Sequence, residues 1–130
     1  MLDVWPDIHC LRDATRGGLG TVLNEFAESS GVGINIEENA IPVREKVRGA
    51  CEILGLDPLY LANEGKMVAI VPAEKADEVL SVMREHKAGS DAAIIGEVVE
   101  SDRPIVTLKT GFGGGRIVDL LVGEQLPRIC

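Results

Sequence analysis

Gly17-Gly18-Leu19-Gly20-Thr21-Val22-Leu23-Asn24-Glu25-Phe26-Ala27-Glu28-Ser29, followed shortly by Gly33-Ile34-Asn35-Ile36-Glu37, is the stretch that decides the fold class. In the first segment Leu19, Val22, Leu23, Phe26 and Ala27 fall at i, i+3, i+4, i+7 and i+8, one stripe of an amphipathic helix. The helix is predicted over residues 17–29 and stops before Gly31. The second segment alternates as a short strand. A one-faced helix next to a one-faced strand calls for helices packed on a sheet.

Working outward, residues 44–54 read as a second helix with Val47, Ala50, Cys51 and Leu54 inward and Gly55 as its stop. On that stripe Cys51 is a small buried hydrophobe. Lys66-Met67-Val68-Ala69-Ile70-Val71 is a near-continuous apolar run ended by Pro72, the pattern of a central strand. Residues 73–86 repeat the helical stripe through Ala76, Val79, Leu80 and Met83. His86 falls in the last turn, where a partly charged imidazole complements the helix dipole. Residues 92–99 and 104–109 read as strands joined by the turn Glu100-Ser101-Asp102-Arg103, and residues 116–121 as a further strand. Helices and strands mix without strict βαβ alternation, so the expected class is α+β, a mixed β-sheet packed with α-helices.

The 130 residues carry 13 Lys+Arg against 21 Asp+Glu, net −8, and are 45% hydrophobic. That is one domain with enough apolar content for a core, which excludes a disordered chain. No low-complexity linker or repeat divides it, so residues 1–120 are read as one domain and 121–130 as a polar tail. No apolar run approaches the roughly 18 residues of a membrane helix, and the first residues lack a signal peptide's basic and apolar regions. The acidic balance and only four aromatics, Trp5, Phe26, Tyr60 and Phe112, argue against nucleic acid as a partner. Cys10, Cys51 and Cys130, without CxxC spacing, read as reduced thiols of a cytoplasmic protein.

Four constellations are candidates for chemistry. Arg12-Asp13-Ala14-Thr15-Arg16-Gly17-Gly18-Leu19 opens the first helix. Asp13 or Thr15 is placed to cap it; bare backbone at the glycines, the positive dipole end and two arginines suit a phosphate cradle. A capped helix with a glycine needed for close packing explains the same residues. Leu61-Ala62-Asn63-Glu64-Gly65-Lys66 precedes the apolar strand and presents Glu64 either as a loop-borne general base or as a solvated turn residue. Gly65-Lys66 is no phosphate loop, because Met67 stands where Ser or Thr is needed. Gly111-Phe112-Gly113-Gly114-Gly115-Arg116 lacks the strand and helix context of a dinucleotide site and is better read as a hairpin loop. His9-Cys10 is too sparse for a zinc site, and no metal ligand set is expected. Finally, Cys130 offers a thiol on a proline-containing end, either a tethered substrate able to reach a site or, taken alone, a final cysteine there by chance.

Taken together these pieces resemble one family. His9-Cys10 through Leu19, Leu54-Gly55-Leu56-Asp57-Pro58-Leu59-Tyr60-Leu61-Ala62-Asn63-Glu64-Gly65-Lys66, Ile94-Ile95-Gly96-Glu97-Val98 and Pro127-Arg128-Ile129-Cys130 are similar to the HypE family of hydrogenase maturation factors. The resemblance implies a PurM C-terminal-domain-like α+β fold and a carbamoyl dehydratase activity. Cys130 would receive a carbamoyl group from a HypF-like carbamoyltransferase. ATP-dependent dehydration would turn it into a thiocyanate, whose cyanide passes to iron on a HypC–HypD complex for the [NiFe]-hydrogenase centre. On this pattern Glu64 is the base, Asn63 positions the carbamoyl group, and Asp13, Thr15, Arg16, Gly17 and Gly18 lie on the phosphate side. The family has a further N-terminal domain carrying most ATP and Mg2+ ligands and the homodimer interface. The chain thus resembles the C-terminal domain alone, a piece expected to be inactive by itself. Two alternatives are a non-catalytic docking module and a domain of a related ATP-using synthetase.

Overall fold

The helical stripe of residues 19–27 is buried as its spacing requires. The structure, a computed structural model, describes residues 7–120. Helix α1 spans Gly18–Ser30 and ends where Gly31 adopts a left-handed conformation, its N–H returning to the Ala27 carbonyl. Val22, Leu23, Phe26 and Ala27 are buried in the core. They pack on a four-stranded sheet ordered β4-β2-β5-β6, with β2 Gly33–Glu37, β4 Gly96–Val99, β5 Ile105–Lys109 and β6 Gly115–Ile117.

Strand β2 runs antiparallel to β4 and parallel to β5, so the strands on either side of residues 100–103 are separated by β2 and do not pair with each other. In the parallel register Ile34 faces Val106 and Ile36 faces Leu108, and all four are buried. Glu37 and Lys109 close the same register as an exposed ion pair at 3.8 Å. Strands β5 and β6 form an antiparallel hairpin, and Thr110 N–H closes its loop on Gly114 at 2.8 Å. The glycine-rich stretch is therefore a hairpin loop, as its sequence context indicates.

The apolar run of residues 66–71 departs from expectation. Among the described residues, strand β3, Met67–Ile70, pairs only with β1, Cys10–Asp13, in a separate two-stranded ribbon. One ribbon face, with Cys10, Val68 and Ile70, packs on the core, while Leu11 and Met67 on the other are exposed. Arg12, also on the core side of β1, meets Glu25 of α1 in an ion pair.

Helix α2 spans Glu45–Leu54 and buries only Cys51 of the four residues on its stripe; Ile53 is 86% exposed. Its apolar spacing forms the helix, but the described residues do not cover Val47 and Leu54, both exposed. Helix α3, Ala76–Glu85, follows a 3-10 turn over Ala73–Lys75 and turns Val79 inward. His86 lies just past its end, and its Nδ1 accepts the Ala88 N–H at 3.2 Å. It is thus the residue that ends α3 and, through its side chain, caps the following 3-10 turn Lys87–Gly89.

Candidate functional site

Two loops that are far apart in sequence meet at the N-terminal end of α1. Antiparallel pairing of β1 with β3 places Asp13 opposite Met67, so the chain leaving β1 and the chain entering β3 run side by side. Beyond the strands the pairing continues: Ala14 N–H donates to the Lys66 carbonyl at 3.4 Å, and Asn63 N–H donates to the Ala14 carbonyl at 2.9 Å. Residues 13–18 and 59–66 are thereby one structural unit, although more than forty positions separate them in the chain.

Asp13 does not cap the helix. Its Oδ1 accepts the Thr15 hydroxyl at 2.6 Å and the Thr15 N–H at 3.4 Å, so the two side chains fold the loop onto itself. The Thr15 hydroxyl is the main reason the Asp13 carboxyl is held below the usual carboxylate value; the Thr15 N–H adds to it, and Arg12 and Arg16 contribute less. Position N-cap belongs to Gly17, which has φ 67° and makes no side-chain cap, and the first turn of α1 carries no acidic residue. That turn keeps the positive end of the helix dipole uncompensated beside the exposed Arg16, an arrangement that fits a phosphate group.

Gly18 has a packing explanation as well. It has φ +69°, and a Cβ there would stand 2.6 Å from the Leu61 carbonyl oxygen and 2.7 Å from that of Leu59. Only a residue without a side chain lets α1 start against the 59–61 backbone. Of the two readings open at the sequence level, close packing accounts for Gly18, while Arg16 is exposed and Gly17 half-buried against Thr21.

Glu64 stands at the exposed tip of the second loop, and its carboxylate has no hydrogen bond or ion pair among the described residues. Asn63 shapes the loop beneath it. With its amide oriented to satisfy both ends, Asn63 donates to the Glu64 carbonyl at 3.2 Å and accepts from Lys66 Nζ at 3.1 Å. The loop thus supplies a free carboxylate, and beside it an ammonium held by the Asn63 amide. Cys130 and the tail 121–130 lie outside the described residues.

The stretch that leads toward position 121 is described, and it converges on the same place. Residues 115–119 run from β6 past α1. Asn24 Nδ2 donates to the Val118 carbonyl at 2.7 Å and to Gly20 at 2.9 Å. The Tyr60 hydroxyl donates to the Asp119 carbonyl at 2.6 Å, and Arg116 pairs with Asp57 at 2.6 Å. Asp57 also accepts the Leu59 N–H at 3.0 Å, starting the 3-10 turn Pro58–Tyr60 that leads into the Glu64 loop. Sequence reasoning passed over these residues. Asp-Pro is a recognisable turn start, and a polar Asn24 between Leu23 and Phe26 on a buried stripe signals a satisfied interior amide.

Residues 2–109 match the family described as AIR synthase related protein, C-terminal domain. The carbamoyl dehydratase HypE of Azotobacter vinelandii is 62% identical over 130 residues, covering all of this chain and 38% of that protein. A crystal structure of hydrogenase maturation protein HypE in complex with ATP is 52% identical with a TM-score of 0.89, covering 95% of this chain and 38% of that one. The HypE chain of a HypE–HypF complex is 48% identical with a TM-score of 0.85, covering 91% and 38%. The chain therefore spans well under half the length of the relatives it matches.

Proposed function

We propose, from the premise that this chain belongs to the family of AIR synthase related protein C-terminal domains, that it is the thiol-bearing domain of an ATP-dependent carbamoyl dehydratase. The reaction converts an S-carbamoyl group on Cys130 into a thiocyanate. The amide loses its oxygen and both nitrogen-bound protons, and a carbon–nitrogen triple bond forms. ATP, when bound, makes the oxygen a leaving group by carrying it away as phosphate.

This chain's residues have three tasks. Glu64 takes a proton from the amide nitrogen, for which it needs an ionised carboxylate free of internal partners. Asn63 holds the Glu64 loop through its amide and, in this reading, orients the carbamoyl group. Asp13, Thr15, Arg16, Gly17 and Gly18 form the phosphate side; Arg16 and the uncapped start of α1 would hold the anion, and Asp13 with Thr15 fixes the loop. The remaining nucleotide and Mg2+ ligands and a homodimer interface belong, in this reading, to the N-terminal part of the longer protein. A HypF-like carbamoyltransferase supplies the carbamoyl group, consistent with the HypE–HypF complex among the solved relatives, and HypC–HypD receives the cyanide.

The observation that carries the reading is the Asn63–Ala14 pairing, which sets the free Glu64 carboxylate in the loop beside the uncapped start of α1. The test uses the longer protein with the carbamoyltransferase and ATP, followed by intact mass spectrometry. Glu64→Gln should accumulate the carbamoyl adduct on Cys130 without thiocyanate, and Cys130→Ala should form neither. Thiocyanate at the normal rate in Glu64→Gln overturns the base assignment.

A further inference from the structure

A cysteine delivered on a tail reacts at a rate that depends on where the tail is rooted. Asp119 is eleven residues before Cys130, and a chain of that length spans at most about 36–40 Å. Effective concentration at a site falls when the root moves relative to the span. The root at residues 116–119 is held by contacts to two different elements. Asn24 of α1 takes the Val118 carbonyl, whereas Tyr60 and Asp57 take Asp119 and Arg116. Both of the latter sit in the short segment that continues into Asn63 and Glu64. The loop with the base and the origin of the tail are thus attached to each other directly as well as through the core.

We propose that Tyr60 and the Asp57–Arg116 pair are positioning residues that register residues 116–119, the stretch leading to Cys130, against the Glu64 loop. The inference rests on the dehydratase reading above. Tyr60 suits the task for two physical reasons. Its ring lies directly against α1, where a Cβ on Gly20 would stand 2.8 Å from Cε1, so the helix closes one side of the ring. Its hydroxyl then projects to a backbone carbonyl, a contact that does not depend on the side chain at position 119. A phenol is a protonated donor across the physiological range, and burial raises this one further above its ordinary value. Arg116–Asp57 adds a second, charge-assisted contact.

The test uses the longer protein carrying Tyr60→Phe, which keeps the ring and deletes the donor, and separately Arg116→Met, which keeps the stem and deletes the charge. Two rates are measured on each: carbamoylation of Cys130 by the carbamoyltransferase, and single-turnover conversion of the preformed carbamoyl adduct with ATP. A misplaced root lowers the effective concentration of the carbamoyl group at the site, so conversion should slow by about fivefold or more in either variant. Carbamoylation should stay within about twofold of the parent, because its acceptor is presented to an outside enzyme. Conversion at the parent rate in both variants overturns the proposal. Parallel loss of both rates also overturns it, because that is the signature of a destabilised domain. Failure of the parent protein to convert the adduct at all would count against the dehydratase reading itself, an outcome distinct from either.

Discussion

Replacing Asn24 with alanine tests the junction on which the site depends. Asn24 is 9% exposed and donates from one amide nitrogen to Gly20 at 2.9 Å and to Val118 at 2.7 Å. Val118 is fully buried, and its N–H is already committed to Val106 of β5 at 2.8 Å. Alanine leaves the Val118 carbonyl without a partner in an apolar setting, at a cost of about 1–3 kcal/mol. The vacated volume raises the expected loss to about 2–3 kcal/mol. Unfolding entropy of about 2.1 cal/mol/K per residue gives about 0.27 kcal/mol/K for this chain, so the melting midpoint should fall by roughly 7–11 °C. Thermal unfolding followed by circular dichroism or calorimetry measures this directly. Thr21→Ala is the internal comparison. Thr21 Oγ1 bonds back to the Gly17 carbonyl at 2.9 Å within the same helix, a local contact whose loss should cost under about 1 kcal/mol. Equal shifts for the two variants, or a fall below about 3 °C for Asn24→Ala, would refute the claim that Asn24 ties β6 to α1.

Gly18→Ala should be more damaging than an exposed glycine substitution. Its left-handed backbone adds about 1–2 kcal/mol of strain, and its Cβ would meet the Leu61 and Leu59 carbonyls, pushing the Glu64 loop outward. A denaturant midpoint unchanged from the parent would contradict that packing. Tyr60, the single tyrosine, should titrate above the ordinary value of about 10 because burial disfavours the phenolate. A raised value means stability fully present below about pH 10 and lost as pH rises through the folded value; urea midpoints across that window should fall more steeply than in Tyr60→Phe. The phenolate absorbance band reads the titration itself, and an unshifted midpoint would remove the burial argument. Asp13 has the opposite sign: its lowered value contributes stability above about pH 4 that is lost as pH falls through the folded value. Thr15→Ala should move the Asp13 midpoint upward in an NMR titration, and no movement would show that the Thr15 hydroxyl is not its cause.

Local patterns in the sequence were enough for α1 and β2. A stripe at 3.6-residue spacing and an alternating pentapeptide each carry their own geometry, whatever surrounds them. The hairpin loop at residues 110–114 was equally local, because glycine content and the missing helix context depend on neighbours in the chain. What β2 pairs with was not local. Its two partners lie on opposite sides of the turn at residues 100–103, so the apparent hairpin partners end up on either flank of a third strand. For the same reason the apolar run 66–71 marked a strand correctly and its place wrongly. Hydrophobicity records that a strand is covered somewhere, not how many neighbours it has, and half of this one faces outward beside the exposed Leu11. Spacing on α2 likewise fixed a helix without fixing how much protein would lie over it.

The candidate site divides along the same line. Chemical type is a property of single residues, so a carboxylate beside glycine, a glycine pair at a helix start and a final-position thiol were visible as letters. Their meeting is a property of the register. Asp13 opposite Met67, and Asn63 on Ala14, follow from ladder hydrogen bonds between segments with no local signal of one another. The role of Gly18 was undecided until the carbonyls of residues 59–61 were seen against it. Asp57, Tyr60 and Arg116 carried no motif that marked them as a unit, because what joins them is a contact across 59 positions of chain. The sequence by itself determined the elements and the reactive groups, since both are written in short-range chemistry. Only the tertiary structure decided which loops lie side by side and what holds residues 116–119, since long-range pairing is selected by the burial of the whole core.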